Sequence, residues 1–394
     1  MKRVVIAGLG TVGGGVYTIL TQQKERRARE LGGEIRVEAV LVRDTAKRRT
    51  CDVPAELLTD DPARLLDIGA DALLEATGNT ALGYKLARGA MDRGMHVITA
   101  GKALVSGHME ELHALAHGRG LYFLYEASVC GGIPLLKAAA DLPLLGRVRA
   151  VRGIMNGSTN HILSAMKHRG CEYDDLVREA REMGYLEADA GDDLLGYDAR
   201  RKLRILATLA LGGSIAEDSI LCEGISRLRQ EDVKALGSLG YTVKLIAGAR
   251  GLDEGVSASV FPWALPGDSI LAGVSGAGNY VEIEEQYLGK IGWYGPGAGA
   301  LPTAHAMSGD LMDALAGRRP LTAPIGGKPL AAMPGGDSAC FYLRGIDPGG
   351  LPVRQPLGGG VLTEEVSFGD VMALLRDHPK GAAIAVETSG IYGG

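Results

Sequence analysis

Four apolar residues, Val4-Val5-Ile6-Ala7, run directly into Gly8-Leu9-Gly10-Thr11-Val12-Gly13, and a helix-like stretch follows to about Glu30. A short, mostly β-branched apolar run reads as a strand buried on both faces, as in a parallel sheet. Glycine at 8 permits a tight turn, glycine at 10 lets backbone approach a pyrophosphate, and glycine at 13 lets helix and strand pack closely. The helix N-terminus then offers unpaired N–H groups to the phosphates. A GxGxxG alone is weak evidence. Here it lies between a strand and a helix, the context that gives it meaning. The expectation is an α/β chain opening with a Rossmann-type doubly wound parallel sheet, with Gly8, Leu9, Gly10, Thr11, Val12 and Gly13 against a dinucleotide.

The second strand, Val37–Val42, ends in Arg43-Asp44-Thr45-Ala46-Lys47-Arg48-Arg49. In this fold an acid at that strand end bonds the ribose 2′-hydroxyl, whereas an arginine accommodates a 2′-phosphate. Arg43 is the first polar residue past the strand, so NADP(H) is favoured; Asp44 keeps NAD(H) open. Strand-like runs at Ala72–Leu74 and His96–Thr99 continue the alternation, and Tyr122–Tyr125 adds another. Ligands sit beyond the carboxyl ends of such strands. That places Thr77 and Lys102 to reach cofactor or substrate. His113 and His117 are four apart, but Ala-Leu-Ala between them and the following residue supply no HExxH general base.

Composition narrows the class. Glycine makes up 59 of 394 residues, roughly twice ordinary usage and without a collagen period, so it serves turns and close backbone approaches. The net charge of −5 gives no attraction for a polyanion, so nucleic acid is not an expected partner. No membrane span is expected either, since Lys137 and Asp141 break the nearest apolar stretch. Five cysteines without a CxxC pair read as reduced thiols of a cytoplasmic protein.

The richest segment is GYLEADAGDDLLGYDARRKLRIL, residues 184–206. A helix from Asp198 to about Leu211 sets Asp198 and Lys202 on one face, four residues apart. An exposed pair of this kind contributes only ~0.3–0.5 kcal/mol. Ile205 and Leu209 continue the same face, however, whereas Arg200 and Arg204 fall on another row and are expected in solvent. Lys202 is then the cation on the apolar side, where burial makes its pKa movable, as an acid–base lysine requires.

These residues also carry a resemblance. The chain is similar to the homoserine dehydrogenase family in GLGTVGGG (8–15), GKAL (101–104), EASVCGGIP (126–134), NGSTNHIL (156–163), the 184–206 segment and GPGAGALPTAHAMSGDL (295–311), in the family's order over about residues 1–320. The resemblance implies NAD(P)H-dependent, reversible reduction of L-aspartate 4-semialdehyde to L-homoserine. It implies Lys202 as proton donor, Asp198 as the acid that orients it, and Lys102 as a second lysine where cofactor and substrate meet. Glu187 would hold the substrate ammonium, with Asp193, Asp192, Tyr185 and Thr159 around the substrate and Gly297 beside the nicotinamide. A monovalent cation, Na⁺, would be held by Glu126, Val129, Gly131 and Ile133. Gly101, Ala188 and Ala190 depart from the family pattern.

The domain organisation that follows is a nucleotide-binding domain at 1–135, completed by about 296–320. An α+β substrate-binding and dimerisation domain is inserted at 136–295, its strands shared across a homodimer. A small C-terminal α+β appendage at 321–394 would be a degenerate regulatory module. Two other functions compete with this one: a dehydrogenase for another amino-acid aldehyde, and a catalytically silent NADP(H)-binding sensor.

Overall fold

The computed structural model describes residues 1–388 apart from 23, 50, 185, 187–189, 254, 326–328 and 334–336. Two units emerge: one of residues 1–141, 212–214 and 296–328, the other of 142–211, 215–295 and 329–394.

In the first unit, β1 (Lys2–Ala7), β2 (Ile35–Leu41), β3 (Leu58–Thr59), β4 (Ala72–Glu75), β5 (His96–Thr99) and β6 (Phe123–Leu124) form a parallel sheet. Its order is β3-β2-β1-β4-β5-β6. Val4, Val5, Ile6 and Ala7 are fully buried, as a central parallel strand must be. Val4, Ile6, Val40, Leu74 and Ile98 join Val16, Leu20, Met307 and Leu311 in one core. The expected helix to Glu30 is two helices, Thr11–Thr21 and Lys24–Leu31.

Helix Ala300–Ala316 returns to this unit and packs on helix Thr11–Thr21 so closely that a Cβ on Gly15 would stand 2.9 Å from the Ala304 methyl. The third glycine of the GGG run thus serves helix packing rather than phosphate. His113 and His117 face backbone carbonyls of the same unit: Nδ1 of His113 lies 2.8 Å from Ala323 O, its Nε2 2.7 Å from the Tyr125 hydroxyl, and Nδ1 of His117 3.3 Å from Thr322 O. Burial holds the His113 pKa below its usual value.

The second unit carries a mixed sheet. Its strands are β7 (Val148–Ile154), β8 (Leu221–Cys222), β9 (Tyr241–Leu252), β10 (Gly255–Pro266), β11 (Gly278–Glu285), β12 (Gly289–Pro296), β13 (Ser338–Arg344), β14 (Val353–Leu357), β15 (Gly360–Thr363), β16 (Val366–Ser367) and β17 (Ala382–Val386). The main path runs β12-β11-β7-β9-β10-β17-β13-β15-β14, with β8 on β10 and β16 on β13. β17 runs parallel to β10 and antiparallel to β13, so it sits between a strand more than a hundred residues earlier and a nearer one.

Phe261 and Trp263 share a core with Phe341, Phe368, Val371 and Leu375. Three buried ion pairs lie within this unit: Arg344 Nε to Asp232 Oδ1 at 2.6 Å, and Arg152 to both Glu282 and Glu387 at 2.6 Å.

Candidate active site

The glycine turn after β1 leaves part of its backbone open. Gly8 has φ +94°, and a Cβ there would fall 2.3 Å from Ala76 O; one on Gly13 would fall 1.9 Å from Gly8 O. These two glycines are fixed by protein contacts. Gly10 is not: nothing lies within 4 Å of the position its Cβ would occupy. It is exposed and is the N-cap of helix Thr11–Thr21, whose N-terminus has no side-chain cap and no acid in its first turn. The partial positive charge of the helix therefore meets open space over bare backbone, which fits a dinucleotide pyrophosphate. Leu9 and Val12 are half-buried beside it, and Thr11 is exposed.

Arg43 is exposed just past β2. The Asp44 carboxylate accepts from the Ala46 N–H (2.9 Å), and Arg49 folds back onto the carbonyls of Lys47 and Asp44. Asp44 and Arg49 thus shape the loop from which Arg43 projects. Thr77 follows β4, and its backbone N–H and hydroxyl donate to Glu75 at 2.8 and 2.7 Å. Lys102 is half-buried and opens helix Lys102–Gly118.

The segment after β6 makes a buried turn. Cys130, at φ +50°, is the one non-glycine residue with positive φ among the described residues. Such strain, of order 1–3 kcal/mol, is held where surroundings dictate a backbone direction. Val129 and Ile133 are buried, Gly131 packs against the Thr303 hydroxyl and Gly297 O, and Ile133 N–H donates to Cys130 O (2.8 Å). The Glu126 carboxylate accepts from the Leu136 and Lys137 N–H groups (2.7 and 3.0 Å), and its own N–H donates to Asp310 (2.8 Å). Burial pushes the Asp310 pKa up to about 7, helped by the negative charge of Glu126. Among the described residues no group of three or more His, Cys, Asp or Glu is placed to hold a metal ion.

The second unit holds the acid–lysine pair. Helix Tyr197–Ala210 presents Asp198 and Lys202 one turn apart, with Nζ 2.7 Å from Asp198 Oδ2. Asp198 is 2% exposed and the Lys202 side chain 11%, so this is a buried pair. Nζ also donates to Met155 O at 2.8 Å. Asn156 completes the arrangement. Its Oδ1 accepts from the N–H of Thr159 (2.9 Å), capping helix Gly157–Arg169, while Nδ2 donates to Asp198 (2.9 Å) and Asp193 (2.7 Å). One amide thereby fixes a helix start and two carboxylates, with its orientation forced by what each end must bond.

Thr159 is buried, and its hydroxyl is engaged by Asn156. Asp192 points outward to Arg201 at 2.5 Å. Tyr185 and Glu187 lie outside the described residues. Arg204, expected in solvent, is 7% exposed and donates to Ile215 O (2.8 Å); Arg200 faces Glu217 at 3.4 Å. The loop after the helix folds back over that row, a long-range contact that helical periodicity does not encode. Asn156, Glu75 and Asp310 were not singled out from the sequence. A lone polar residue at a strand or helix end carries no signal until its spatial neighbours are known.

Comparison with known proteins identifies the family of this chain. The homoserine dehydrogenase family profile matches residues 134–312, and the profile of the homoserine dehydrogenase NAD binding domain matches residues 8–126. The homoserine dehydrogenase of Pseudomonas aeruginosa is 38% identical over 315 residues, 79% of this chain and 71% of that protein. That of Corynebacterium glutamicum is 35% identical over 355 residues, 87% and 79% of the two chains. The crystal structure of a homoserine dehydrogenase from Thiobacillus denitrificans superposes with a TM-score of 0.87 at 32% identity, over 99% of both chains. With a phosphate-ready glycine turn in one unit, a buried acid–lysine pair in the other, and relatives that span most of its length, the chain belongs to the homoserine dehydrogenase family.

Proposed function

We propose that the protein interconverts L-aspartate 4-semialdehyde and L-homoserine, with NADP(H) preferred over NAD(H). The observation that carries this is the Lys202–Asp198 pair, buried and cross-linked through Asn156 and Met155. The glycine turn at Gly8, Gly10 and Gly13 would hold the nicotinamide cofactor, which would supply the hydride. Lys202 Nζ donates the proton that the nascent alkoxide needs, and takes it back in the oxidative direction. Asp198 aims that nitrogen, and Asp193, held by the same amide, is the carboxylate offered to the substrate; Tyr185 and Glu187 remain candidates from the sequence, while Asp192 turns to Arg201 and the Thr159 hydroxyl to Asn156. The test is cofactor oxidation on adding aspartate semialdehyde to the purified protein. Absence of turnover with this aldehyde, and turnover with another amino-acid aldehyde, would reassign the substrate; none with any would leave a binding protein.

The projection of Arg43 from the β2 end supports the NADP(H) preference. Arg43→Ala is expected to raise the KM for NADPH about tenfold, the scale of one charge-assisted phosphate contact, and to leave that for NADH nearly unchanged. Initial rates with both cofactors check it, and equal effects would remove the preference.

The buried left-handed turn at Cys130 supports a Na⁺ site built from the carbonyls of Glu126, Val129, Gly131 and Ile133. The Glu126 side chain is committed to the N–H groups of Leu136 and Lys137, so its carbonyl is the better donor. We also propose a homodimer across the second unit's sheet. Tyr287, Leu288 and Tyr294 on and before the edge strand β12 are 72%, 59% and 68% exposed, an apolar edge that isolated subunits ordinarily blunt. Sedimentation should give a dimer, and Leu288→Lys with Tyr294→Lys should shift it towards monomer. None of the five cysteines is in a disulfide, which supports a reducing compartment such as the cytoplasm. No helix among the described residues is long and apolar enough to cross a membrane.

A further inference from the structure

Glu75 closes β4 and is 2% exposed. A carboxylate at that depth has to be matched by donors, and its donors come from two different strand ends. Oε1 accepts from the N–H and hydroxyl of Thr77 at 2.8 and 2.7 Å. Oε2 accepts from the Thr99 hydroxyl at 2.5 Å, and that hydroxyl in turn accepts from the Gly101 N–H at 2.9 Å. Gly101 is the N-cap of helix Lys102–Gly118 and makes no side-chain cap bond of its own. One buried carboxylate therefore stitches the loop that carries Thr77 to the helix start that carries Lys102.

The space for it is made by two glycines. A Cβ on Gly83 would stand 3.1 Å from the Glu75 Cδ and Oε1, and one on Gly101 would stand 3.1 Å from Oε2. A side chain at either position presses on the carboxylate. The negative charge also lies at the N-terminal end of helix Lys102–Gly118, where it is favoured by the helix dipole.

We propose that Glu75 is a positioning residue for the cofactor: it sets the spacing between Thr77 and Lys102, and Gly83 and Gly101 are the positions its burial requires. This rests on the reading of Thr77 and Lys102 as cofactor-facing groups. Glu75→Gln keeps the volume but turns one acceptor into a donor. The amide nitrogen then faces the Thr99 hydroxyl, which already accepts from Gly101 and loses the partner for its own proton.

In steady-state kinetics, Glu75→Gln is expected to raise the cofactor KM about tenfold, with the homoserine KM at saturating cofactor changed less than about twofold. Gly101→Ala, which leaves Glu75 in place and crowds it, gives the same split at smaller size, and carries the test alone if Glu75→Gln does not fold. An unchanged cofactor KM, or an equal rise in both KM values, overturns the proposal. Thr77→Val and Lys102→Ala are measured in parallel. If neither moves the cofactor KM, the reading of those residues fails and the inference with it. If they do move it and Glu75→Gln does not, the inference alone fails.

Discussion

Lys202→Ala is expected to lower kcat for aldehyde reduction by about 10²-fold or more, the usual contribution of a positioned general acid, with substrate KM moving far less. The expectation follows from where the ammonium is held. Asp198 at 2.7 Å and Met155 O at 2.8 Å fix its direction, and a side chain only 11% exposed cannot be replaced by bulk water without rebuilding the pocket. Removing one member of a buried pair also leaves the other charge uncompensated, at about 3–5 kcal/mol. The variant will be less stable for a reason unrelated to proton transfer. Lys202→Met combined with Asp198→Asn separates the two effects, because it removes both charges at similar volume. Stability should recover in the double variant and turnover should not. Rates measured with saturating cofactor, alongside thermal melts, check this; turnover near that of the unmodified enzyme in either variant would take the proton-donor role away from Lys202.

The second large effect is structural. A chain ending at residue 328 is expected to lose the folded second unit, not merely a peripheral element. The truncation removes β17 and β13 from one side of β10 and deletes Phe341, Leu343, Phe368, Val371 and Leu375 from the core around Phe261 and Trp263. Each large apolar side chain contributes about 1.5–3 kcal/mol on burial, so five approach the whole stability of an ordinary domain, about 5–15 kcal/mol. The cut also strands Asp232 and Arg152 without Arg344 and Glu387. Circular dichroism melts of residues 1–328 against the full chain should show loss of the cooperative transition of the second unit; a truncated protein that melts like the parent would contradict this account of the sheet.

The parts of the site legible in advance were those whose chemistry follows from local spacing. Gly8, Gly10 and Gly13 stand between a β-branched run and a helix, and each spacing has one steric meaning. Asp198 and Lys202 are four apart in a helix with Ile205 on the same side, so their pairing and burial followed from periodicity. Arg204 was misread because its burial depends on the loop around Ile215, which no helical wheel contains. Asn156 carries no local signal as the donor to Asp193 and Asp198, residues 37 and 42 positions further on. An α+β character for the C-terminal residues was expected from the sequence, though not the hairpin of β14 and β15 or the partner strand of β17.

Sequence alone showed what needs only a few consecutive residues: the central strands of the parallel sheet, the glycines of the turn after β1, and which lysine shares a helix face with an acid. Those features are governed by dihedral sterics and by periods of 2 and 3.6 residues, which are written locally. Tertiary structure decided which polar groups lose water together. The Glu75, Asn156 and Asp310 networks and the insertion of β17 between β10 and β13 all arise from desolvation shared by residues far apart in the chain. Burial of a polar group is tolerated only where its partners arrive at the same place.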